Sequence, residues 1–178
     1  MTNIKLRIIE EDDREVFRNL FNLYQHDLSM IADFLFPTVD KRGFYDYETI
    51  EEYFSSSALS QGKLFMYLII VDDNIAGFCL LTKAPYVIKA GCDYCINEFF
   101  IIGSYRRKGI AREACKVIFK QHPGRYCFEV IDNNDRAKSF WKKLIAEVGT
   151  DVVIEDEVVF ENGEELKQVV MQFSLKTS

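Results

Sequence analysis

The chain has 178 residues, 48% of them hydrophobic, and sets 22 basic against 28 acidic side chains for a net charge of −6. That composition excludes a disordered chain, and the acidic balance speaks against a nucleic-acid surface, which needs broad positive patches. No apolar run approaches a membrane span of about 18 residues, and the opening MTNIKLRIIEEDDR lacks the apolar stretch of a secretion signal.

Nothing repeats and no linker divides the chain, so a single domain over residues 1–178 is expected. The five cysteines are odd in number and scattered through hydrophobic runs, which suits a reducing, cytoplasmic setting. Cys92 and Cys95 form a lone CxxC with no second Cys/His pair, so no metal is expected and both read as small buried hydrophobes.

In chain order, IKLRII (Ile4–Ile9) alternates as a half-buried strand. The next stretch, to Ile31, sets Val16, Leu20, Tyr24, Leu28 and Ile31 on one helical face, with Asp12 and Glu15 as a capping box. From Asp33 to Tyr47 the pattern dissolves into an aromatic-rich loop, and YETIEEYFSSSAL follows as a second helix. LFMYLIIVDDNIAGFCLLTKA is a hairpin turning at Asp72–Asn74.

DYCINEFFII is nearly continuous in apolar character, so it is expected at the centre of the sheet, covered on both faces. The following helix turns Ile110, Ala114, Val117 and Ile118 inward and ends near His122. RYCFEVI is a strand, and DRAKSFWKKLIAEV a helix with Ala137, Phe140, Trp141, Leu144 and Ile145 on one side. The chain closes as a hairpin about Asn162–Gly163. An antiparallel meander joined to one βαβ crossover makes a mixed sheet, α/β in composition and α+β in the loose sense.

The stretch YRRKGIA concentrates charge where a buried strand runs into a helix. The first turn of a helix leaves amide donors unpaired, and its macrodipole adds about half a positive charge. Arg106, Arg107 and Lys108 add cations, and Gly109 lets a ligand approach the backbone. This is an anion cradle suited to a phosphate or pyrophosphate. Five residues separate Gly103 from Gly109 and Ile110 follows, so the Walker spacing fails, and no GxGxxG is present.

Arg106, Gly109 and Ala111 spell R-x-x-G-x-A at a strand-to-helix turn, and here the chain resembles the GNAT family of acetyl-CoA-dependent N-acetyltransferases. Asn134, Ala137 and Trp141 occupy the places of a second family pattern, N-x-x-A-x-x-x-Y, with tryptophan where tyrosine is usual. The resemblance covers the order of elements across nearly the whole chain, and the spelling is similar to a subgroup of bacterial acetyltransferases.

The resemblance implies the GNAT fold, a mixed central sheet with a splayed parallel strand pair and flanking helices. It also implies acetyl-CoA as co-substrate. Amides from Arg106 through Arg107, Lys108, Gly109 and Ile110 to Ala111 would hold the pyrophosphate. Phe99, Phe100 and Ile101 would pair with the pantetheine arm as with an added strand, and Asn134 would bond it from the other side. The acceptor would be a primary amine on a small molecule or peptide, with neither nucleic acid nor membrane as partner. Dimers through the late strands are common among such proteins, which keeps a homodimer open.

Acetyl transfer needs a neutral amine, so a base must take its proton. Glu98, a carboxylate within an apolar strand beside the pantetheine segment, is the candidate; its alternative is a bond to a neighbouring strand or a place facing solvent. Trp141 cannot act as an acid near neutral pH, but its indole N–H could bond sulfur or its ring could close the pocket wall; core packing is the other reading. On the acceptor side His26 and Asp27 lie on the first helix, and Phe34, Phe36, Phe44, Tyr45 and Tyr47 in the variable loop. A module that binds acetyl-CoA without turnover is the alternative function, and a longer acyl donor the third.

Overall fold

In a computed structural model the two periodicities become a seven-stranded sheet with helices on both faces. The structure describes residues 3–176 except the side chain of Tyr47, so the place given above to that side chain lies outside the described residues. β1 (Ile4–Ile8), α1 (Arg14–Ser29), α2 (Tyr47–Ser55) and α3 (Ser57–Ser60) precede the hairpin of β2 (Leu64–Val71) and β3 (Asn74–Lys83). β4 (Tyr94–Ile101), α4 (Ile110–Gln121), β5 (Arg125–Ile131) and α5 (Asp135–Val148) follow, and β6 (Gly149–Glu161) with β7 (Glu164–Leu175) closes the chain. The strand order is β1-β2-β3-β4-β5-β7-β6, with β4 and β5 the parallel pair. This is the mixed sheet and splayed pair of the GNAT fold.

Both long hairpins turn on two residues of positive φ. They are Asp72 (48°) with Asp73 (65°), and Asn162 (51°) with Gly163 (82°). Such turns match the twist of the strands they join, and Asn, Asp and Gly tolerate them best. His122 caps the end of α4, where the sequence stops it.

One sheet face packs against α4 and α5 through Tyr126, Phe128, Trp141, Leu144 and Phe173. The other packs against α1 and α2 through Phe17, Phe21, Ile50, Phe78 and Phe100. The buried stripe of α1 is Phe17, Leu20, Phe21 and Gln25, rotated from the expected one; Val16, Tyr24 and Leu28 lie at its margin. The capping box also moves. A 3-10 turn, Glu11–Asp13, precedes α1, and the reciprocal bonds join Glu10 and Asp13 rather than Asp12 and Glu15. The α4 core includes Cys115 and Phe119, while Val117 is only half-buried.

β4 departs from the uniform burial expected of a central strand: Asn97 is exposed, and Glu98 and Phe99 are half-buried. The register explains it. β4 pairs with β5 only at Tyr94↔Tyr126 and Cys95↔Cys127. On its other edge Leu81 faces Ile96 while Leu80 faces Glu98, so Asn97 is an extra residue, a bulge. Thr82 Oγ1 donates to Asn97 Oδ1 at 2.8 Å and fixes it there. A bulge bends its strand and adds twist. Directly beyond the last rung, β4 swings away from β5 and the sheet opens.

Candidate active site

The opening continues into a cleft of about 460 Å³ whose walls include Tyr24, Phe99, Phe100, Ile101, Arg106, Ala111, Asn134 and Trp141. A smaller cavity of about 120 Å³ lies in the splay itself, bordered by Asn97, Phe99, Phe128, Glu129 and Asn134. Tyr24, Leu28, Phe99, Asn134, Ala137 and Trp141 border both. All three of the expected strand residues, Phe99, Phe100 and Ile101, thus stand along the cleft, beside backbone that β5 no longer pairs.

At one end of the cleft the chain leaves β4 through a 3-10 turn, Gly103–Tyr105, and reaches α4 by way of Arg107 (φ 59°) and Gly109 (φ 78°). A left-handed residue just before a helix is cheap only for glycine, and a Cβ at Gly109 would meet nothing within 4 Å. That open space lies at the amides of Ile110 and Ala111, which begin α4 and have no carbonyl a turn behind them within the helix. Arg107, Lys108 and Gly109 are exposed there.

Arg106 faces elsewhere. Its amide donates to Gly103 O at 3.2 Å, its Nε to Ile101 O at 2.6 Å, and its Nη2 to Asp27 Oδ2. The guanidinium carbon sits 5.4 Å from the Phe100 ring centre. The expected amide series therefore begins one residue later, at Arg107. Asp27, expected on the acceptor side, is paired with Arg106 at the cleft wall.

Asn134 is the N-cap of α5: its Oδ1 accepts from Ala137 N–H at 3.1 Å. The side chain borders both cavities, so its Nδ2 is the donor left for a ligand. Trp141 is 6% exposed and packs on Phe128 (4.3 Å between ring centres), Phe140 (4.9 Å) and Phe99 (5.5 Å). It is a core residue and a cleft wall together, so the two readings offered by the sequence coincide.

Glu98 is enclosed on the α1/α2 side of the sheet. Tyr53 OH donates to its Oε1 at 2.9 Å, and the Tyr24 hydroxyl lies near enough to its carboxyl to favour the charged form. Burial pushes the Glu98 carboxyl up to about 7, against the opposing pull of those two hydroxyls. Both tyrosines are pushed well up in turn, by burial and by the carboxylate. Aromatic neighbours fix them: Tyr24 meets Phe78 and Phe100 edge-on or tilted at 5.8 and 5.9 Å, and Tyr53 meets Phe21 at 5.7 Å. Sequence reasoning misses both hydroxyls, because Tyr24 reads only as part of an apolar stripe and Tyr53 as one residue of a short helix. Glu98 itself does not border either cavity; Tyr24 stands between it and them.

The remaining acceptor-side residues gather outside the cleft walls. His26 Nδ1 and Tyr45 OH are 2.9 Å apart, Tyr45 meets Phe36 edge-on, and Asn162 at the β6–β7 turn donates to Phe34 O at 3.3 Å. Among the described residues no cluster of His, Cys, Asp and Glu could hold a metal ion, and no helix is long and apolar enough to cross a membrane.

The chain matches the profile of the family described as Acetyltransferase (GNAT) family over residues 18–145, more than half its length. Solved structures of the same fold include a GNAT-family acetyltransferase from Staphylococcus aureus Mu50, 15% identical, with 98% of this chain and 100% of that one covered at a TM-score of 0.63. A spermidine N-acetyltransferase chimera from Vibrio cholerae and hSSAT is 16% identical, with 97% and 95% covered at 0.62. Arabidopsis thaliana NAA60, solved with a bisubstrate analogue, is 15% identical, with 98% and 100% covered at 0.60. No curated protein is significantly similar in sequence.

Proposed function

The chain belongs to the acetyltransferase (GNAT) family, and from that premise we propose that it is an acetyl-CoA-dependent N-acetyltransferase. It acts as one domain, in the cytoplasm, on a primary amine of a small molecule or peptide that attacks the thioester directly. The observation that carries this reading is the open β4/β5 pair, whose cleft reaches Arg106 and Ala111 on either side of the turn into α4.

The residues present fit the coenzyme. Amides from Arg107 to Ala111 receive the pyrophosphate, helped by the α4 dipole and by Arg107 and Lys108. Phe99 to Ile101 offer strand backbone to the pantetheine arm, and Asn134 Nδ2 a donor from the opposite wall. When bound, the coenzyme supplies the activated acetyl group and the thiolate leaving group. Glu98, just behind the cleft wall, is the base for the proton the amine loses, and its raised pKa keeps it competent at neutral pH. Trp141 closes the wall behind the reacting carbonyl and excludes water. His26, Phe34 and Tyr45 border the approach for the acceptor, from which Asp27 is withdrawn by Arg106.

Thermal unfolding with and without acetyl-CoA tests the reading. At about 100 times its Kd the ligand adds roughly 2.7 kcal/mol of stability, which for a chain of this size raises Tm by about 5–10 °C. Gly109→Glu places a carboxylate in the open space of the cradle and abolishes the shift. An unshifted wild type at millimolar acetyl-CoA would remove the coenzyme and the activity with it. A shift with no thiol release across a panel of amines would instead favour a binding module.

A further inference from the structure

The five cysteines, all buried free thiols, fall into two groups. Cys79 and Cys115 belong to the α4/α5 core, whereas Cys92, Cys95 and Cys127 pack on one another beside Val87. The register explains why these three meet. Tyr94, Ile96, Tyr126 and Phe128 turn into the α4/α5 core, so strand alternation puts Cys95 and Cys127 together on the opposite face. The two are direct partners on the last rung that joins β4 to β5. Cys127 Sγ donates to Tyr94 O, on the peptide leading into Cys95, at 3.6 Å. Cys92 Sγ donates at 3.7 Å to Oε1 of Gln172, which is the β7 partner of Cys127. Paired strands lie about 4.8 Å apart, within the Cα separation of about 4.4–6.8 Å that a disulfide spans. The next residues along, Ile96, Asn97, Phe128 and Glu129, already border the cavity in the splay.

We propose that Cys95 and Cys127 are a site of reversible oxidation, where hydrogen peroxide closes a disulfide across the last β4/β5 rung and narrows the splay beyond it. The Cys127 sulfur attacks the peroxide: an S–O bond forms, the O–O bond breaks, and the departing hydroxide leaves as water with the Cys127 proton. The Cys95 sulfur then attacks the sulfenic sulfur: the S–S bond forms, the S–O bond breaks, and a second water leaves with the Cys95 proton. Two thiols give up two electrons and two protons, and one peroxide becomes two waters. The local chemistry separates the roles. The Cys95 thiol, the loop backbone at Lys89 and the Cys92 thiol pull Cys127 down against its burial, which favours the attacking thiolate. Cys95 is held up by Cys127 and by burial, and Cys92 by burial and by Cys127. A disulfide keeps its Cβ atoms about 3.8 Å apart, less than the strand spacing, so it draws β4 toward β5 where the sheet begins to open. The effect on the splay rests on the coenzyme reading above; the oxidation does not.

The test treats the folded chain with hydrogen peroxide, blocks the remaining thiols by alkylation and maps the peptides by mass spectrometry. A Cys95–Cys127 link appears, two hydrogens lighter than the dithiol and reversed by dithiothreitol, while Cys79 and Cys115 stay reduced. Those two are fully buried in the other cluster and report any reaction that goes through unfolding. Cys92 and Cys95 share a tryptic peptide, so fragmentation of the linked pair assigns the partner, and Cys92→Ala, which lacks the competing thiol, gives the same link. A link assigned to Cys92, a Cys127 oxidised to sulfinic acid beside a reduced Cys95, or equal loss of the Cys79 and Cys115 thiols would overturn the site. Acetyl-CoA titrations then read the splay. The linked wild type binds several-fold more weakly than the reduced protein and recovers with dithiothreitol, and peroxide leaves the affinity of Cys95→Ala unchanged. Equal affinity in the linked and reduced wild type would overturn the narrowing and leave the oxidation site standing. If the reduced chain binds no acetyl-CoA, the coenzyme reading fails and the effect on binding with it, while the peptide map still decides the disulfide.

Discussion

Glu98 ties chemistry to stability with opposite signs. Burial lifts its pKa from 4.5 to about 7, so the folded chain holds this proton more tightly than the unfolded one. Stability is therefore highest below the unfolded value and falls as pH rises between the two, by about 3 kcal/mol at most once the carboxylate forms. Glu98→Gln keeps the shape and removes the titration. Urea unfolding should find it equal to wild type at pH 4 and more stable by about 1–3 kcal/mol at pH 8. Equal stability at both pH values would mean that the carboxyl is not desolvated. For the proposed base, activity runs the other way: it must be ionised, so acetyl transfer should rise through about pH 7 in wild type. It drops by about 100-fold or more in the glutamine variant. If Glu98 is the proposed base, the strand gives up folding stability to hold it, a trade common at active sites.

At the scale of elements, the pieces that chain-local chemistry controls were legible in sequence. Strand alternation, the turn residues Asp72, Asn162 and Gly163, and the Arg106–Ala111 turn all lie within a few residues of what determines them. The phase of α1 was not, because its apolar positions are too numerous to define one stripe: Phe17, Phe21 and Gln25 enter the core where Val16 and Tyr24 fit the spacing as well. Nor was the bulge at Asn97, which only the pairing with β3 reveals. Asn134 was read as a coenzyme contact, and the structure gives it another place, as the cap of α5. Its Oδ1 caps α5 at Ala137 N–H while its Nδ2 is available to the cleft. Asn134→Asp should separate them, since a carboxylate caps equally well but cannot donate. The aspartate variant should melt within a degree or two of wild type and bind acetyl-CoA several-fold more weakly. Asn134→Ala should lose about 1 kcal/mol of stability as well. Unchanged affinity in both variants would leave Asn134 as a cap alone.

Over the whole molecule, the site is made by contacts between distant parts of the chain, and these are what one sequence cannot supply. Tyr53 meets Glu98 across 45 residues and Asp27 meets Arg106 across 79. The sequence placed Asp27 on the acceptor side and Arg106 at the phosphates; the structure pairs the two at the cleft wall. Arg106 bonds Ile101 O, lies against the Phe100 ring and holds Asp27, so it ties the end of β4 to α1 across the mouth of the cleft. Each partner is about 30% exposed on its side chain, at 29% for Arg106 and 31% for Asp27, so solvent weakens the ion pair and its hydrogen bonds carry much of the effect. The expected worth is about 1 kcal/mol of coupling, measured by a cycle of Asp27→Asn, Arg106→Gln and the double variant in urea. The same cycle read by acetyl-CoA affinity should show coupling too, because α1 is the wall that carries Tyr24 and Leu28. If the pair only braces the fold, stability couples and affinity is additive. If it also sets the width of the cleft, either single variant weakens acetyl-CoA binding nearly as much as the double, since losing one end already releases α1 from β4.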